Sequence, residues 1–302
     1  MRTTNEHNLP VAFERFEKRN PHDPQGARFT VSTLIDSPYI AHLRRKHYEE
    51  RTEDVSDRLH AIMGSAIHKI LEDGHDPESQ IAEERLHGVY HGVSVSGQID
   101  LQNLTEKGVD SETGEVIVTR TVEDWKSTKT ATVRYNPNGK LEWERQLNCY
   151  AELARYNGYH VTGLVVHVYF RDWEEAGLKR YRDYPPIAYQ RFDIAMWEPE
   201  VARQYMLDRV ALHIAEQPMP CTDEEMWARG TSREVFVPLT SGKGHRKRSE
   251  KFDNDFDADM FMLDNPGSIL KETEKTYTRC NGDWCQVAEF CPIKQKRSKT
   301  SE

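Results

Sequence analysis

Two short segments, GQIDL at residues 97–101 and VEDWK at residues 122–126, decide the interpretation of the fold. GQIDL alternates polar and apolar side chains with a period of two, which is typical of a β-strand with one buried face, and VEDWK lies at the end of the patterned run over residues 116–125. Successive side chains of a strand point to opposite faces, so Asp124 and Lys126 are expected on one face, opposite to the residue between them. Asp100 is flanked by apolar residues in the same way. We therefore predict two neighbouring strands that each present a carboxylate.

The pattern around these two segments predicts a mixed α/β core. Period-two alternation predicts strands over residues 87–95, 96–101, 116–125 and 163–170, with a turn at residues 110–114. Apolar residues at helical spacing predict helices over residues 32–48, 56–73, 141–156 and 198–215. Ser32 is the predicted N-cap of the first helix, and Gly74 ends the second. The order αα-βββ-α-β-α indicates a central mixed sheet flanked by helices.

Changes in composition and periodicity along the chain predict three regions. Residues 1–28 are polar and show no sustained period, so we expect an irregular N-terminal arm. Residues 29–216 hold the α/β core. Residues 217–302 mix Pro, Gly and charge between short patterned pieces and end in a cysteine-rich region with a basic tail. A chain of 302 residues is long enough for one large domain with appendages or for two modest domains.

Composition predicts a cytoplasmic protein with no membrane segment. Hydrophobic residues make up 37% of the chain and charged residues 30%, with a mean hydropathy of −0.81. No apolar run approaches the roughly 20 residues that a bilayer span requires. The first ten residues lack the apolar segment of a secretory signal.

The charge balance limits how the protein can bind nucleic acid. Lys and Arg total 41 against 50 Asp and Glu, which gives a net charge of −9. This balance is unusual for a protein that holds nucleic acid only by coating its phosphates, but local basic segments can still meet such a substrate. Three segments qualify, at residues 44–47, 243–248 and 294–299. Each of them can equally be ordinary solvated surface charge.

The two predicted strands bring together a set of groups suited to a divalent cation. Two carboxylates, Asp100 and Asp124, with Lys126 beside them, form a hard-oxygen site of the kind that Mg²⁺ prefers. A cation there can activate water for phosphodiester hydrolysis, while Lys126 stabilises developing negative charge. The backbone carbonyl of Trp125 can complete the metal shell. An isolated D-x-K is more often an ordinary surface ion pair, so other parts of the sequence must support the site.

Two further helical segments supply that support. His68, on the edge of the apolar stripe of its helix, can offer a neutral imidazole to a metal ion, and Gly64 one turn earlier allows close approach. Gln146 and Tyr150 are four residues apart on one helix face and project to the same place. Taken singly, each residue has a structural alternative as a boundary or core residue.

Four motifs in this order resemble the PD-(D/E)XK nuclease superfamily, specifically its RecB-type exonuclease branch, over roughly residues 30–215. The motifs are G-x-x-x-H (Gly64, His68), G-x-I-D (Gly97, Asp100), D-x-K (Asp124, Lys126) and Q-x-x-x-Y (Gln146, Tyr150). The resemblance implies a restriction-endonuclease-like core, dependence on Mg²⁺ or Mn²⁺, and cleavage of DNA from an end.

The resemblance also assigns roles. Metal-ligand roles fall to His68, Asp100 and Asp124, the catalytic role falls to Lys126, and supporting roles fall to Gln146 and Tyr150. An accessory acid of that branch corresponds to Glu84, although its neighbour Glu83 fits the same position.

The cysteines predict a second metal site. Three of the five crowd into the last 25 residues, with the spacing Cys280-x4-Cys285-x5-Cys291, and clustering in a cytosolic chain favours a metal site over disulfides. The family resemblance implies a [4Fe-4S] cluster, as in CRISPR-associated and helicase-linked nucleases of this branch. Four thiolates also suit Zn²⁺, and buried or free thiols are the structural alternative.

The fourth ligand departs from the family pattern. Those nucleases usually supply it from a Cys-Pro in the helix before the nuclease motifs, where this chain has Ser37-Pro38. Cys221, at the start of the C-terminal region, is the replacement that we predict. We expect the resulting metal clip to hold the C-terminal segment instead of taking part in chemistry.

The leading interpretation is a metal-dependent deoxyribonuclease, an exonuclease that acts on DNA ends in recombination, repair or phage DNA processing. Single-stranded DNA would be held by the basic segments and by aromatics such as Trp125, Trp143 and Tyr150. The resemblance further implies a helicase, recombinase or CRISPR adaptation partner and a phage or mobile-element origin. The alternative is a non-catalytic nucleic-acid-binding or recombination scaffold with a structural metal site. The presence of every expected catalytic residue type argues against that alternative.

Overall fold

The computed structural model describes residues 1–19, 25–109, 111, 113–181, 183–230, 232–237, 248–252, 255–273, 275–282 and 284–300. The chain divides into two compact units. The first comprises residues 1–41 and 48–218, and the second comprises residues 42–47 and 219–302. The division after Pro218 lies close to the boundary near residue 217 that the sequence predicts.

The first unit contains most of the regular structure. Its strands are β1 (Arg2–Thr4), β2 (Phe29–Thr30), β3 (Thr52–Asp54), β4 (Gln80–Tyr90), β5 (Val93–Val109), β6 (Val116–Thr128), β7 (His160–Phe170) and β8 (Tyr189–Asp193). The helices up to residue 218 are α1 (Val11–Arg19), α2 (Val31–Ile35), α3 (Pro38–Lys46), α4 (Leu59–Asp73), α5 (Thr130–Tyr135), α6 (Leu141–Tyr156), α7 (Glu175–Arg180) and α8 (Pro199–Ile214).

A central mixed sheet organises this unit, as the sequence predicts. Its strands lie in the order β2-β5-β6-β7-β8, and β4 pairs with β5 in addition. The pairs β2–β5 and β6–β7 are parallel, whereas β4–β5, β5–β6 and β7–β8 are antiparallel. Helices flank the sheet, so the mixed α/β class is confirmed.

Helix α6 anchors the core next to the predicted site. Its apolar residues recur every three or four positions, and Leu147, Ala151 and Ala154 are fully buried. They belong to the same hydrophobic cluster as Val166 and Val168 of β7. Burying a Leu or Val side chain stabilises the fold by roughly 1.5–3 kcal/mol, so this packing fixes α6 firmly against the sheet.

The predicted helix over residues 32–48 is wrong as one continuous element, because Pro38 divides it into α2 and α3. Proline lacks an N–H group and disfavours helical geometry in the residue before it. The N-cap of α2 is Thr30 instead of Ser32, with the Thr30 hydroxyl accepting from the N–H of Thr33 at 3.2 Å. Ser37, at the position where the resemblance predicts a cysteine, accepts a hydrogen bond from the N–H of Ile40 and so caps α3.

The predicted strands over residues 87–95 and 96–101 are divided at the wrong place. The chain turns at His91 and Gly92, whose φ angles of 49° and 72° match the left-handed geometry of a tight hairpin turn. The residues after this turn form one 17-residue strand, β5. The carboxylate-bearing segment 97–101 therefore lies in the middle of a long strand, not at its start.

The N-terminal arm and the second predicted helix differ from expectation too. Instead of an irregular arm, β1 pairs in parallel with β3, and α1 packs against α4. The predicted start of α4 is a 3-10 turn, Val55–Arg58, capped by Asp54. No residue of α4 is buried, and Met63 and Ile70 on its predicted apolar stripe are 58% and 70% exposed.

The second unit contains two small sheets and short helices. Its elements are β9 (Ala228–Arg229), β10 (Ser232–Val237), β11 (Arg248–Phe252), α9 (Asp255–Asp264), β12 (Ile269–Thr273), β13 (Thr276–Tyr277), α10 (Thr278–Asn281) and α11 (Pro292–Thr300). β10 pairs with both β11 and β12, and β9 pairs with β13. The Phe290 ring stacks on His47, with ring centroids 4.4 Å apart. Residues 243–247 of one predicted basic segment lie outside the described residues.

Within the described part of the chain, every helix is too short or too polar to span a bilayer.

Candidate functional site

The Asp100 side chain bridges the place where β5 and β6 diverge. The two strands pair from Val109 opposite Val116 as far as Leu101 opposite Glu123, with a β-bulge between Glu106 and Gly108. One residue beyond that pair, Oδ2 of Asp100 accepts a hydrogen bond from the backbone N–H of Trp125 at 2.8 Å. The carboxylate thus holds the two strands together while its other oxygen stays available.

Alternation along β6 separates Asp124 and Lys126 from their neighbours, as the sequence predicts. Lys126 Nζ lies 2.7 Å from Oδ2 of Asp124, and both residues line one cleft. On the opposite face, Glu123 pairs with Nε2 of His167 at 2.8 Å, and the Trp125 indole stacks on the same imidazole with ring centroids 4.3 Å apart. The D-x-K motif therefore presents only its first and last side chains to the cleft.

Three ligand atoms converge at the centre of this cleft. Nδ1 of His68 lies 3.5 Å from Oδ1 of Asp100 and 3.7 Å from Oε1 of Glu83. One ligand atom from each of these three residues lies within 4.8 Å of the other two. Helix α4 supplies the imidazole, and the paired strands β4 and β5 supply the two carboxylates.

Glu83, and not Glu84, lines the cleft beside His68 and Asp100. The φ angle of Glu83 is +53°, a left-handed conformation that costs a non-glycine residue roughly 1–3 kcal/mol. The register of β4 against β5, with Ala82 opposite Leu101 and Glu84 opposite Ile99, places Glu83 on the same face of the sheet as Asp100. Glu84 instead accepts hydrogen bonds from Gln102 and from Arg120, the latter at 2.9 Å, and so belongs to a separate ion pair.

The carboxylates of the cleft perturb the groups around them. Burial, followed by the charge of Asp124, raises the pKa of Asp100 to about 7. Burial lowers the pKa of His68, but Glu83, Asp100 and Asp124 outweigh that effect and raise it. Burial likewise lowers the pKa of Lys126, yet attraction to Asp124 and Asp100 raises it overall, so the ammonium stays charged. This concentration of negative charge favours a bound cation.

Gln146 and Tyr150 meet at the same cleft from α6. The Gln146 side-chain amide donates to the Tyr150 hydroxyl at 2.8 Å, and both residues line the cleft. Close packing of α6 on β5 depends on Gly97, because a Cβ atom there would lie 2.8 Å from Leu153 and 2.9 Å from Tyr150. The glycine of G-x-I-D is therefore explained by packing.

The cleft has a volume of about 580 Å³. In addition to the residues above, α4 contributes Gly64 and Ser65 to its lining. A Cβ atom at Gly64 would meet nothing within 4 Å, so this glycine borders open space. Trp143 does not reach the cleft: it is 5% exposed and packs against Phe192, which excludes it as a base-stacking aromatic.

The donor set fits Mg²⁺ or Mn²⁺. Two carboxylate oxygens and one imidazole nitrogen are ligands that these cations accept, with waters completing the shell. Compared with the predicted set, the structure groups Glu83 with His68 and Asp100, whereas Asp124 is paired with Lys126 in the same cleft. The N–H of Trp125 is committed to Asp100, and a metal-ligand role for its carbonyl remains a prediction.

The predicted cysteine ligands all lie in the second unit. Cys221, Cys280, Cys285 and Cys291 are half-buried, whereas Cys149 is buried in the core of the first unit, as expected. Among the described residues, no three cysteine sulfurs lie within 4.8 Å of one another. The [4Fe-4S] or Zn²⁺ site therefore remains a prediction that rests on the sequence.

Comparisons with known proteins leave the family unassigned. No protein-family model matches the chain, and no curated protein matches it. A solved structure described as "Crystal structure of SSO0001" is similar over 72% of this chain and 88% of its own, with 14% sequence identity and a TM-score of 0.43. A similarity this distant carries no argument about family or function.

Proposed function

We propose that this chain is a metal-dependent deoxyribonuclease that hydrolyses phosphodiester bonds with Mg²⁺ or Mn²⁺. The observation that carries the proposal is the convergence of His68, Glu83 and Asp100 in one cleft that also contains the Asp124–Lys126 pair. Carboxylate and imidazole ligands beside a charged lysine are the groups that phosphodiester hydrolysis requires. Action on DNA ends follows from the motif resemblance.

The bound cation would activate water and neutralise charge on the scissile phosphate. Side chains of the protein supply the other roles in the reaction. Asp124 and Asp100 raise the pKa of Lys126, so this lysine keeps its proton. It therefore acts as a cation and not as a base. Its charge orients water and stabilises the pentacoordinate transition state at phosphorus. Asp124 fixes the Lys126 ammonium at 2.7 Å and so determines where that charge lies.

Gln146 and Tyr150 complete the substrate side of the cleft. The Gln146 amide, already within hydrogen-bond distance of the Tyr150 hydroxyl, can hold a phosphate oxygen or the attacking water. Burial, with the charges of Asp124 and Asp100, raises the pKa of Tyr150 well above its ordinary value. Its hydroxyl therefore stays protonated and can donate a hydrogen bond to the DNA backbone.

A cleavage assay with matched variants tests the proposal. End-labelled linear DNA and circular single-stranded DNA are incubated with the purified protein and Mg²⁺ or Mn²⁺. We expect the wild-type protein to shorten the linear DNA, and Lys126→Ala and Asp100→Asn to abolish cleavage. Lys129→Ala is the control, because Lys129 is an exposed lysine three residues further along that does not line the cleft.

Four outcomes separate the interpretations. Degradation of linear DNA alone identifies an exonuclease, whereas cutting of the circle identifies an endonuclease. DNA binding without cleavage in either metal would contradict the proposal and favour the scaffold alternative. Unchanged cleavage by Lys126→Ala would reject the catalytic assignment.

A further inference from the structure

Gln98 connects the metal-binding carboxylates to a half-buried arginine. It lies on β5 two residues before Asp100, opposite Arg85 of β4 in the sheet register. Its side-chain Oε1 accepts a hydrogen bond from Nη2 of Arg85 at 2.6 Å, and its Nε2 donates to Oε2 of Glu83 at 2.6 Å. Arg85, Gln98 and Glu83 all line the candidate cleft.

The arginine determines which way the amide points. A guanidinium can only donate hydrogen bonds, so the amide oxygen of Gln98 must face Arg85 and its NH₂ group must face Glu83. Arg85 is itself fixed by a second hydrogen bond, from Nη1 to the hydroxyl of the buried Ser96 at 3.1 Å. Only one arrangement of donors and acceptors is therefore possible along the chain of hydrogen bonds from Arg85 through Gln98 to Glu83.

This order leaves a single oxygen of Glu83 for the ion. Oε2 receives the Gln98 N–H, while Oε1 lies 3.7 Å from Nδ1 of His68. A direct Arg85–Glu83 ion pair would compete with a cation for the carboxylate, whereas a neutral amide between them orients the carboxylate without neutralising it.

We propose that Arg85 and Gln98 form a relay that positions Glu83 as a one-oxygen ligand of the divalent cation. The inference rests on the proposed function, because it assigns the relay to the same metal site. Both are positioning residues, since neither is among the three convergent ligand residues. Hydrogen-bonded partners of metal ligands typically contribute about 10–100-fold to metal affinity.

The same strand offers a matched control. Gln102 lies two residues after Asp100, is fully buried, and accepts from Arg120 while it donates to Glu84. This second Arg–Gln–Glu set has the same composition, but Glu84 is also paired directly with Arg120 and does not join the metal-binding group. Gln102→Met therefore removes an equivalent pair of hydrogen bonds away from the ion.

The experiment measures Mn²⁺ binding to the full-length protein by titration calorimetry and electron paramagnetic resonance, without DNA. We expect Gln98→Met to weaken Mn²⁺ binding about tenfold or more, and Gln102→Met to leave it within about twofold of wild type. Gln98→Glu should weaken it further, because a second carboxylate would face Glu83. Thermal unfolding without metal shows whether each variant folds.

The results distinguish failure of the proposed relay from failure of the proposed metal site. Wild-type affinity in Gln98→Met, with loss of affinity in Asp100→Asn, would reject the relay and keep the metal site. Equal losses in Gln98→Met and Gln102→Met would also reject it, because they would indicate a general structural effect. If Gln98→Met fails to fold, Arg85→Met tests the relay from its other end. No Mn²⁺ binding by the wild-type protein would reject the proposed function itself.

Discussion

Nζ of Lys126 lies 2.7 Å from Oδ2 of Asp124, whose side chain is only 1% exposed. Removing the lysine would leave a buried carboxylate without its counter-charge, which typically costs about 3 kcal/mol. We expect Lys126→Met to lower the free energy of unfolding by roughly this amount, in addition to abolishing cleavage. The double variant Asp124→Asn/Lys126→Met should recover most of the loss, because neither charge remains. Urea denaturation of the variants measures this, and equal stabilities for the single and double variants would contradict the coupling.

The two motif glycines should respond differently to alanine. Gly97→Ala places a Cβ atom 2.8 Å from Leu153, so we expect a loss of roughly 1–3 kcal/mol of unfolding free energy through overpacking. Gly64→Ala meets open space within α4 and should stabilise the helix by up to about 1 kcal/mol. Thermal and urea unfolding compare the two variants directly. Destabilisation by Gly64→Ala would show that this glycine is also required for packing.

Metal affinity should depend on pH through Asp100. Burial and Asp124 raise the pKa of Asp100 to about 7, so a proton competes with the cation below that pH. The raised pKa of His68 acts in the same direction, because a protonated imidazole cannot bind a metal. Mn²⁺ affinity should therefore rise by about tenfold or more per pH unit up to about pH 7 and then level off. Titrations across this range check the prediction, which a flat profile would refute.

Basic residues near the end of α3 should contribute to DNA binding. Arg45 and Lys46 are exposed, and we expect Arg45→Glu/Lys46→Glu to weaken single-stranded DNA binding in EDTA. The slope of log affinity against log salt should fall by about one for each phosphate that the variant no longer neutralises. Lys179→Glu/Arg180→Glu on α7 changes the same charge at exposed positions and is the control. Equal effects of the two double variants would indicate a response to net charge alone.

The cysteine-rich end carries a prediction that rests on the sequence pattern. If the sequence pattern is correct, anaerobically purified protein should be brown and contain about four iron atoms per chain. Cys285→Ser should remove the colour, whereas Cys149→Ala should not, because Cys149 is a buried core thiol whose pKa burial raises to about 12. Visible absorption and metal analysis measure both. Zinc in place of iron would identify a structural Zn²⁺ site, and the absence of both metals would reject the clip.

Local patterns predicted the strand that carries the D-x-K motif and the helix that carries the Q-x-x-x-Y motif. The helix over residues 141–156 has the predicted bounds because its apolar spacing is strong at both ends. The alternation around Asp124 placed its side chain correctly, since a period of two depends only on strand geometry. In contrast, no local pattern encodes the pairing of β1 with β3, because it joins residues that are distant in the sequence, such as Arg2 and Thr52.

Glu83 shows why part of the site escaped prediction. The sequence placed the first strand at residue 87, whereas β4 begins at Gln80, so both neighbouring acids lay outside any predicted strand. The choice between them depends on the register of β4 against β5, which places Glu83 on the same face as Asp100 and Glu84 on the other, and no local pattern encodes that register. The adjacent glutamates were a usable signal that one acid faces the cleft, but they gave no means to decide which.

The hydrogen bond from Trp125 to Asp100 has a practical consequence for anyone who needs an inert form of the protein, for example to trap a substrate. Truncation to alanine would remove the cross-strand tie that this side chain provides and would risk separating the β5 and β6 backbones. Asparagine is as long as aspartate and keeps an oxygen that can accept this hydrogen bond, but it carries no negative charge. We therefore expect Asp100→Asn to abolish the proposed cleavage and to leave the sheet intact.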